Sequence, residues 1–365
     1  MVDTSRVEGG SHDSNVASAI MATYEARLPE MSRSVQRHFA QRMYRITGDE
    51  KYLPANLAYA KSLARQLQRD FEGLSKPGYA LERAEARLSK REAGAEGFDD
   101  AARREKYRAR HQVLARWGEM PFAISLLSRL NQVNSFGLLE TPPFAGSGEA
   151  VDYLKSIDFR SFLTDQEVVS VYAAQVANIS QYLFDLGVSD LRQEASASFL
   201  EHYSKVPEAG LSLSEFRNML YGLTHFVIAS SGYYQRFLDR REVDWVLAWL
   251  ERSVERIDID ATPDIQAEVG LCFSLCQEEQ SPVLQRMKSS VVSAYDDSSR
   301  MIPSEAGGTD LEDGEHRNVL AIMLLRWPKA LHPGPRLDPW PTTESNGRDR
   351  FWKRLKNKVR KSGNR

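Results

Sequence analysis

Cysteine is nearly missing from this 365-residue chain, which holds only Cys272 and Cys276. Two residues that close cannot build a disulfide framework. On one helix a bridge between them would span about one turn and constrain little. Reduced thiols in a cytoplasmic protein are therefore expected. An excess of one charge is also lacking: 48 Lys and Arg against 50 Asp and Glu leave a formal −2, with no global reason to expect nucleic acid or a strongly acidic partner. Met1–Asn15 has no basic stretch followed by an apolar core, so no secretory signal is read there. The longest uncharged runs contain Asn, Gln, Gly, Ser and His, which argues against transmembrane segments. Alternating β-branched runs bounded by turn residues are almost absent, so strands should be rare. There is no nucleotide-binding glycine loop, no serine elbow and no HExxH pair.

What is present is helical periodicity. Met1–Ser14, with Gly9-Gly10 and no period, reads as a disordered leader. Asn15 to about Phe71 is helical, broken near Thr47-Gly48-Asp49, with Pro54 in an early helical turn. Tyr79–Ala93 and Asp99–Arg116 mix Arg, Glu and Ala and read as solvated outer helices. From there, five helical stretches poor in charge start near Glu119, Glu167, Glu215, Asp264 and Glu315, about fifty residues apart, with more charged segments between them. A fixed period with one charge-poor and one charged helix per unit is the pattern of stacked helical hairpins. The last twenty residues, Asn346–Arg365, carry nine Lys/Arg against Asp349. They read as a basic tail or helix that either docks its aromatics on the body or touches anionic membrane or nucleic acid. The implied division is a leader over 1–14, one helical-repeat domain over 15–345 and a tail over 346–365.

The charge-poor helices have two faces. In Glu215–Gln235, Phe216, Met219, Leu220, Leu223, Val227, Tyr234 and Phe237 form an apolar stripe. The opposite stripe, Asn218, Tyr221, Gly222, His225, Ala229 and Gly232, is small or polar but carries no charge. Val168–Phe184 repeats the pattern, with Ser170, Ala174, Ala177, Asn178 and Gln181 on its small face. A face meant for bulk water would carry Asp, Glu, Lys or Arg. Such helices fit the inner layer of an all-α assembly around a restricted polar cavity. An α/α toroid is the favoured arrangement, because the concave face of an open solenoid, the alternative, would show more charge.

Three places carry chemistry. His225 sits mid-helix on the polar face, with Tyr221 one turn and Asn218 two turns before it; it is a cavity acid/base or a buried histidine satisfied by a neighbour. Asp264 and Glu268 follow Thr262-Pro263. A Thr N-cap, Pro at the first helical position and the helix dipole account for Asp264, whereas Glu268 precedes the apolar run Val269–Leu275 and should be enclosed. Glu315-His316-Arg317-Asn318 heads the last charge-poor helix, as a ligand-facing cluster or an ordinary helix start. If the register holds, Asp264, Glu268, Glu315, His316 and Arg317 gather at one rim. Metal is not expected: Cys272 and Cys276 could chelate with His225 and His316, but Cys276 falls on the side of Ile265, Val269 and Phe273, as small buried hydrophobes do.

The phrases Thr224–Gln235, Asp264–Phe273 and Glu315–Leu325 resemble segments of an uncharacterised bacterial all-helical family, a domain of unknown function, over roughly 161–327. That resemblance brings no activity. At fold level the repeat is similar to α/α toroids among glycoside hydrolases, polysaccharide lyases, terpenoid cyclases and lanthipeptide cyclases, yet a DDxxD run and a Cys-His-Gly phrase are both missing. The expectation is an enzyme of hydrolase or lyase type, or a binder, for a small molecule or peptide-like substrate of polar or anionic character. His225, Glu268 and His316 would move protons, and Asn218, Tyr221, Asp264, Glu315 and Arg317 would hold the ligand, without a cofactor. The alternative is a non-catalytic helical scaffold for a protein partner.

Overall fold

The computed structural model describes residues 5–96, 101–205 and 207–340. Among these residues there are sixteen α-helices and no strand beyond an isolated bridge between Asp296 and Met301. In chain order they are α1 (Ser5–Arg27), α2 (Arg33–Thr47), α3 (Leu53–Leu74), α4 (Tyr79–Glu96), α5 (Ala101–Ala115), α6 (Met120–Ser135), α7 (Ser147–Lys155) and α8 (Phe159–Thr164). There follow α9 (Gln166–Asp185), α10 (Arg192–Ser204), α11 (Leu213–Ser230), α12 (Arg240–Arg252), α13 (Val254–Asp260), α14 (Pro263–Leu275), α15 (Pro282–Ser293) and α16 (Leu311–Leu325). No helix among them is long and apolar enough to cross a membrane. The basic tail and Met1–Thr4 lie outside the described residues. Helix α1 begins at Ser5, inside the stretch expected to be an unstructured leader. Its Val16, Ala17, Ile20 and Tyr24 are buried, and once such a stripe anchors a helix, extending it backwards needs no new nucleus.

Local chemistry sets the helix ends. Gly48 takes a left-handed φ of 68° and caps α2, where the break was read. Proline occupies the first turn of α3, α6, α14 and α15, where its missing N–H is harmless. Ser212 with Glu215, and Asp239 with Glu242, form capping boxes at α11 and α12. Thr262 departs from expectation: it holds the N-cap position of α14, but its hydroxyl donates to Asp264 Oδ1 at 2.5 Å and caps no amide.

The five charge-poor stretches are α6, α9, α11, α14 and α16. Helix α9 packs on α6 and α11, α11 on α14, α14 on α16, and α16 on α2. Gln41 of α2 reaches Ser135 of α6 at 3.4 Å. The charged helices α10, α12 and α15 pack against this inner set. Residues after α16 cross the inner helices as an extended strap: the Gly334 amide donates to Gln235 Oε1 (2.8 Å) and the Leu337 amide to the Phe136 carbonyl (3.0 Å).

The small face of α11 divides in two. Its first half packs against helices: Asn218 Nδ2 donates to the Ser170 carbonyl at 2.7 Å and to Tyr203 at 3.1 Å. The second half, from His225, borders a cavity that Asn218 and Tyr221 do not line. Gly222 marks the closest approach. A Cβ there would meet Phe199 Cε2 at 2.3 Å and Ala173 Cβ at 3.0 Å, and Phe199 is itself fully packed. Gly222→Ala should lower stability, because overpacking of roughly 1–3 kcal/mol exceeds the helix-propensity gain of about 1 kcal/mol. Urea unfolding checks this; a midpoint at or above the parent's would show that the α9–α10–α11 contact has slack.

Candidate functional site

A cavity of about 590 Å³ lies where α2, α6, α9, α11 and α16 face one another, with the strap at Pro333–Gly334 along one side. His225 and His316 both border it. Beneath them sits Glu268, whose side chain is 1% exposed. The Nε2 atoms of His225 and His316 stand 3.7 Å and 3.6 Å from the same oxygen, Glu268 Oε1. The other oxygen accepts from Thr224 Oγ1 at 2.6 Å. On its far edge His225 Nδ1 meets Asn178 Oδ1 at 2.9 Å, and that oxygen also accepts from the Tyr233 hydroxyl at 2.7 Å. His316 Nδ1 lies 3.8 Å from Asp264 Oδ2, to which Tyr221 donates at 2.5 Å.

These neighbours set the charges. Burial works against ionised Glu268 and Asp264, yet both carboxyls are held below their ordinary range. The imidazoles of His225 and His316 and the Thr224 hydroxyl act on Glu268; His316, Thr262 and Tyr221 act on Asp264. Burial also works against a charged His316, but Asp264 and Glu268 override it and hold the imidazole above its usual value. Although much of the helix around it is packed, 41% of the His316 side-chain surface is accessible, so it faces the void.

A second carboxylate behaves in the opposite way. Glu315, one residue before His316, bonds His38 Nδ1 at 2.7–2.8 Å. Burial pushes Glu315 up to about 7, against the pull of Arg42, His316 and Arg37. Burial, reinforced by Arg42 and Arg37, holds His38 well below the ordinary histidine range. The pair therefore joins a carboxyl about half protonated at neutrality to a neutral imidazole. The His38 and His316 rings lie 5.7 Å apart, so the two clusters are contiguous.

Helix α2 supplies the remaining wall. Arg37, His38, Gln41, Arg42 and Arg45 fall within an arc of about 140° at 100° per residue and all line the cavity. Arg45 is 3% exposed and donates to the carbonyls of Tyr233 (2.6 Å) and Gly334 (2.9 Å). Tyr233 and Tyr234 take left-handed φ values of 60° and 73°, directly after Gly232 at 63°. Each non-glycine residue so placed costs on the order of 1–3 kcal/mol. This turn sets the Tyr233 carbonyl on Arg45 and its hydroxyl on Asn178.

Of the residues read from sequence, the structure brings His225, Glu268, His316, Asp264, Tyr221 and Glu315 into one connected network. Asn218 and Arg317 are not part of it. Asn218 joins α11 to α9 and α10, as described. Arg317 Nε donates to the Ile302 carbonyl at 2.9 Å on the other side of α16, where Asn318 holds the same residue through its amide and carbonyl. At 100° per residue, a run of four residues cannot face one ligand. His38, Arg37, Arg42, Arg45 and Tyr233 belong to the site and were not read from sequence, and Asn178, read on the small face of its helix, was not among the expected site residues. The basic arc of α2 was the available signal. Cys272 and Cys276 are free and buried, and among the described residues no group of three or more His, Cys, Asp or Glu is arranged to hold a metal ion.

A family model described as Domain of unknown function (DUF3541) matches residues 13–347. Comparison with curated proteins and with solved structures returns no match.

Proposed function

We propose, for a chain that belongs to the DUF3541 family and takes no activity from it, an acid–base enzyme of hydrolase or lyase type acting on a small polar or anionic molecule in the central cavity. One observation carries the reading. Two imidazoles, from α11 and α16 on either side of α14, converge on one oxygen of a buried carboxylate while both border a cavity of substrate size. His316 has two carboxylates beside it and His225 one, so His316 is assigned as proton donor and His225 as acceptor, with Glu268 as their common counterion. Asp264 and Asn178 orient the two rings from behind. Carboxyls driven apart in acidity within one site are the pattern of divided acid and base roles, and Glu315 against Glu268 and Asp264 fits it. The reading takes the inner helices as a closed α/α ring. The succession of packing from α6 through α16 to α2, with Gln41 reaching Ser135, supports that arrangement.

The competing reading, a non-catalytic helical scaffold, draws on Asn218 and Arg317, two expected ligand contacts now engaged between structural elements. It gives no account of the converging imidazoles. The test is consumption of small molecules from a metabolite extract, followed by mass spectrometry. The parent chain should deplete at least one species. His316→Ala and His225→Ala should each slow that depletion by about 10²–10⁴-fold, while Asp190→Ala, at an exposed ion pair with Arg192, should not. Depletion unaffected by both histidine variants, or none by the parent, overturns the enzyme reading.

A further inference from the structure

Apart from those of α2, the arginines that line the central cavity and the larger outer groove each have an acid partner. Arg129 pairs with Asp70 and Arg336 with Asp338, both at the rim of the central cavity. In the larger outer groove of about 990 Å³ between α9, α10 and α12, Arg192 pairs with Asp190 and Arg236 with Glu242. The three arginines of α2 break that pattern. Among the described residues no carboxylate lies within ion-pair distance of Arg37, Arg42 or Arg45; Glu315 pairs with His38, and Asp185, the acid lining the cavity, is engaged by Gln181 at 2.7 Å. The Nε atoms of Arg37 and Arg42 are buried without a hydrogen-bond partner. Arg37 keeps one bond to Gln41 (3.2 Å) and stacks over Tyr59, and Arg42 lies over the Tyr234 ring. Buried donors left open are costly and concentrate where a ligand brings the acceptor.

We infer that Arg37, Arg42 and Arg45 form the receptor for a phosphoryl group, so that the molecule held in the cavity is a small phosphorylated compound whose other end lies against His316 and His225. The planar guanidinium fork matches the oxygens of phosphate and of carboxylate alike. Three such forks without counter-charge suit a tetrahedral dianion better than a single carboxylate. The enclosing helices and the strap at Pro333–Gly334 leave room for a small molecule and none for a nucleic-acid duplex. The strain on Arg45 agrees: burial, then Arg42 and Arg37, pull its guanidinium down to about 9.

This inference rests on the cavity being the substrate site, but its test needs no turnover. Inorganic phosphate, succinate and acetate are titrated into the full chain at constant ionic strength, by calorimetry and by thermal unfolding. Phosphate should bind and raise the melting temperature, and acetate should do neither. Arg42→Gln and Arg37→Gln should each weaken phosphate about ten- to hundredfold. Without phosphate, Arg42→Gln should melt at or above the parent temperature, since one of three clustered like charges, with a buried Nε that has no hydrogen-bond partner, has gone. Arg42→Lys keeps the charge without the fork and serves if the Gln variant does not fold; it too should bind phosphate more weakly. Phosphate bound equally by Arg42→Gln, succinate or acetate bound as tightly as phosphate, or no phosphate binding by the parent overturns the inference. His316→Ala should still bind phosphate, so binding without turnover would sink the acid–base reading and leave this one standing.

Discussion

At pH 8, Glu315→Gln should unfold at a higher denaturant concentration than the parent chain, and the advantage should vanish near pH 4. The carboxyl lies buried against His38 Nδ1 and is pushed up from 4.5 to about 7. The folded state therefore holds its proton more tightly than the unfolded chain does between those values. Stability falls as pH rises wherever the native state binds more protons, so this group destabilises progressively from about pH 4.5 and fully above about 7. A rise of that size corresponds to roughly 3 kcal/mol at 1.36 kcal/mol per pH unit. Glutamine never ionises, and its amide donates to His38 as the protonated carboxyl does. The attraction of Arg42 and Arg37 for ionised Glu315 is lost in the variant, but it already opposes burial in setting the value near 7. His38 contributes the opposite slope, its lowered value removing stability as pH falls below 6.5, and this is common to both chains and cancels in the difference. Urea unfolding at pH 4, 6 and 8 measures the gap. A difference of constant size, or a loss at pH 8, would mean that Glu315 is ionised at ordinary cost.

Glu315 also shows how far the sequence could be read. The charge-poor helices and the enclosure of Glu268 were legible because helical period and the absence of formal charge both survive in the letters. The partner of Glu315 was not, because His38 lies 277 residues away and nothing in periodicity says which face meets which. In helix α2 the letters point away from a cavity wall for a physical reason. Four arginines and a histidine in fifteen residues look like a water-facing stripe, and burying them is costly enough to be the less expected arrangement. Small neutral faces misled in the other direction. Gly222 and Asn218 seemed to border a cavity, but small residues also let helices approach closely, and that is their role between α9, α10 and α11. Asn178 was legible only as one member of a small neutral face, and the left-handed turn that presents Tyr233 uses two tyrosines where glycine or asparagine would be the expected residue.

The same substitution one helix away should have the opposite sign. Glu268 is as buried as Glu315, but its oxygens meet two imidazoles and a hydroxyl donor. Its pKa lies below the ordinary value, so its contribution is present above about pH 4.5 and lost as pH falls through the folded value; His316, held up, contributes below 6.5 and loses that contribution as pH rises past its own folded value. Both terms are in force near pH 6. There Glu268→Ala removes one of the two carboxylates beside the His316 imidazolium and leaves a void under it; with Asp264 still present and His316 41% accessible, the cost should fall below the roughly 3–5 kcal/mol of a broken, fully buried ion pair. Glu268→Gln keeps the volume and the bond from Thr224 but not the charge, so it should lose less, and the His316 imidazole should release its proton at lower pH by proton NMR. At that pH Glu315→Gln should gain stability while Glu268→Gln loses it. Two buried glutamates with one sign of response would show that burial alone governs both. Opposite signs would show that Glu268 faces a positively charged imidazole, as a proton donor at His316 requires.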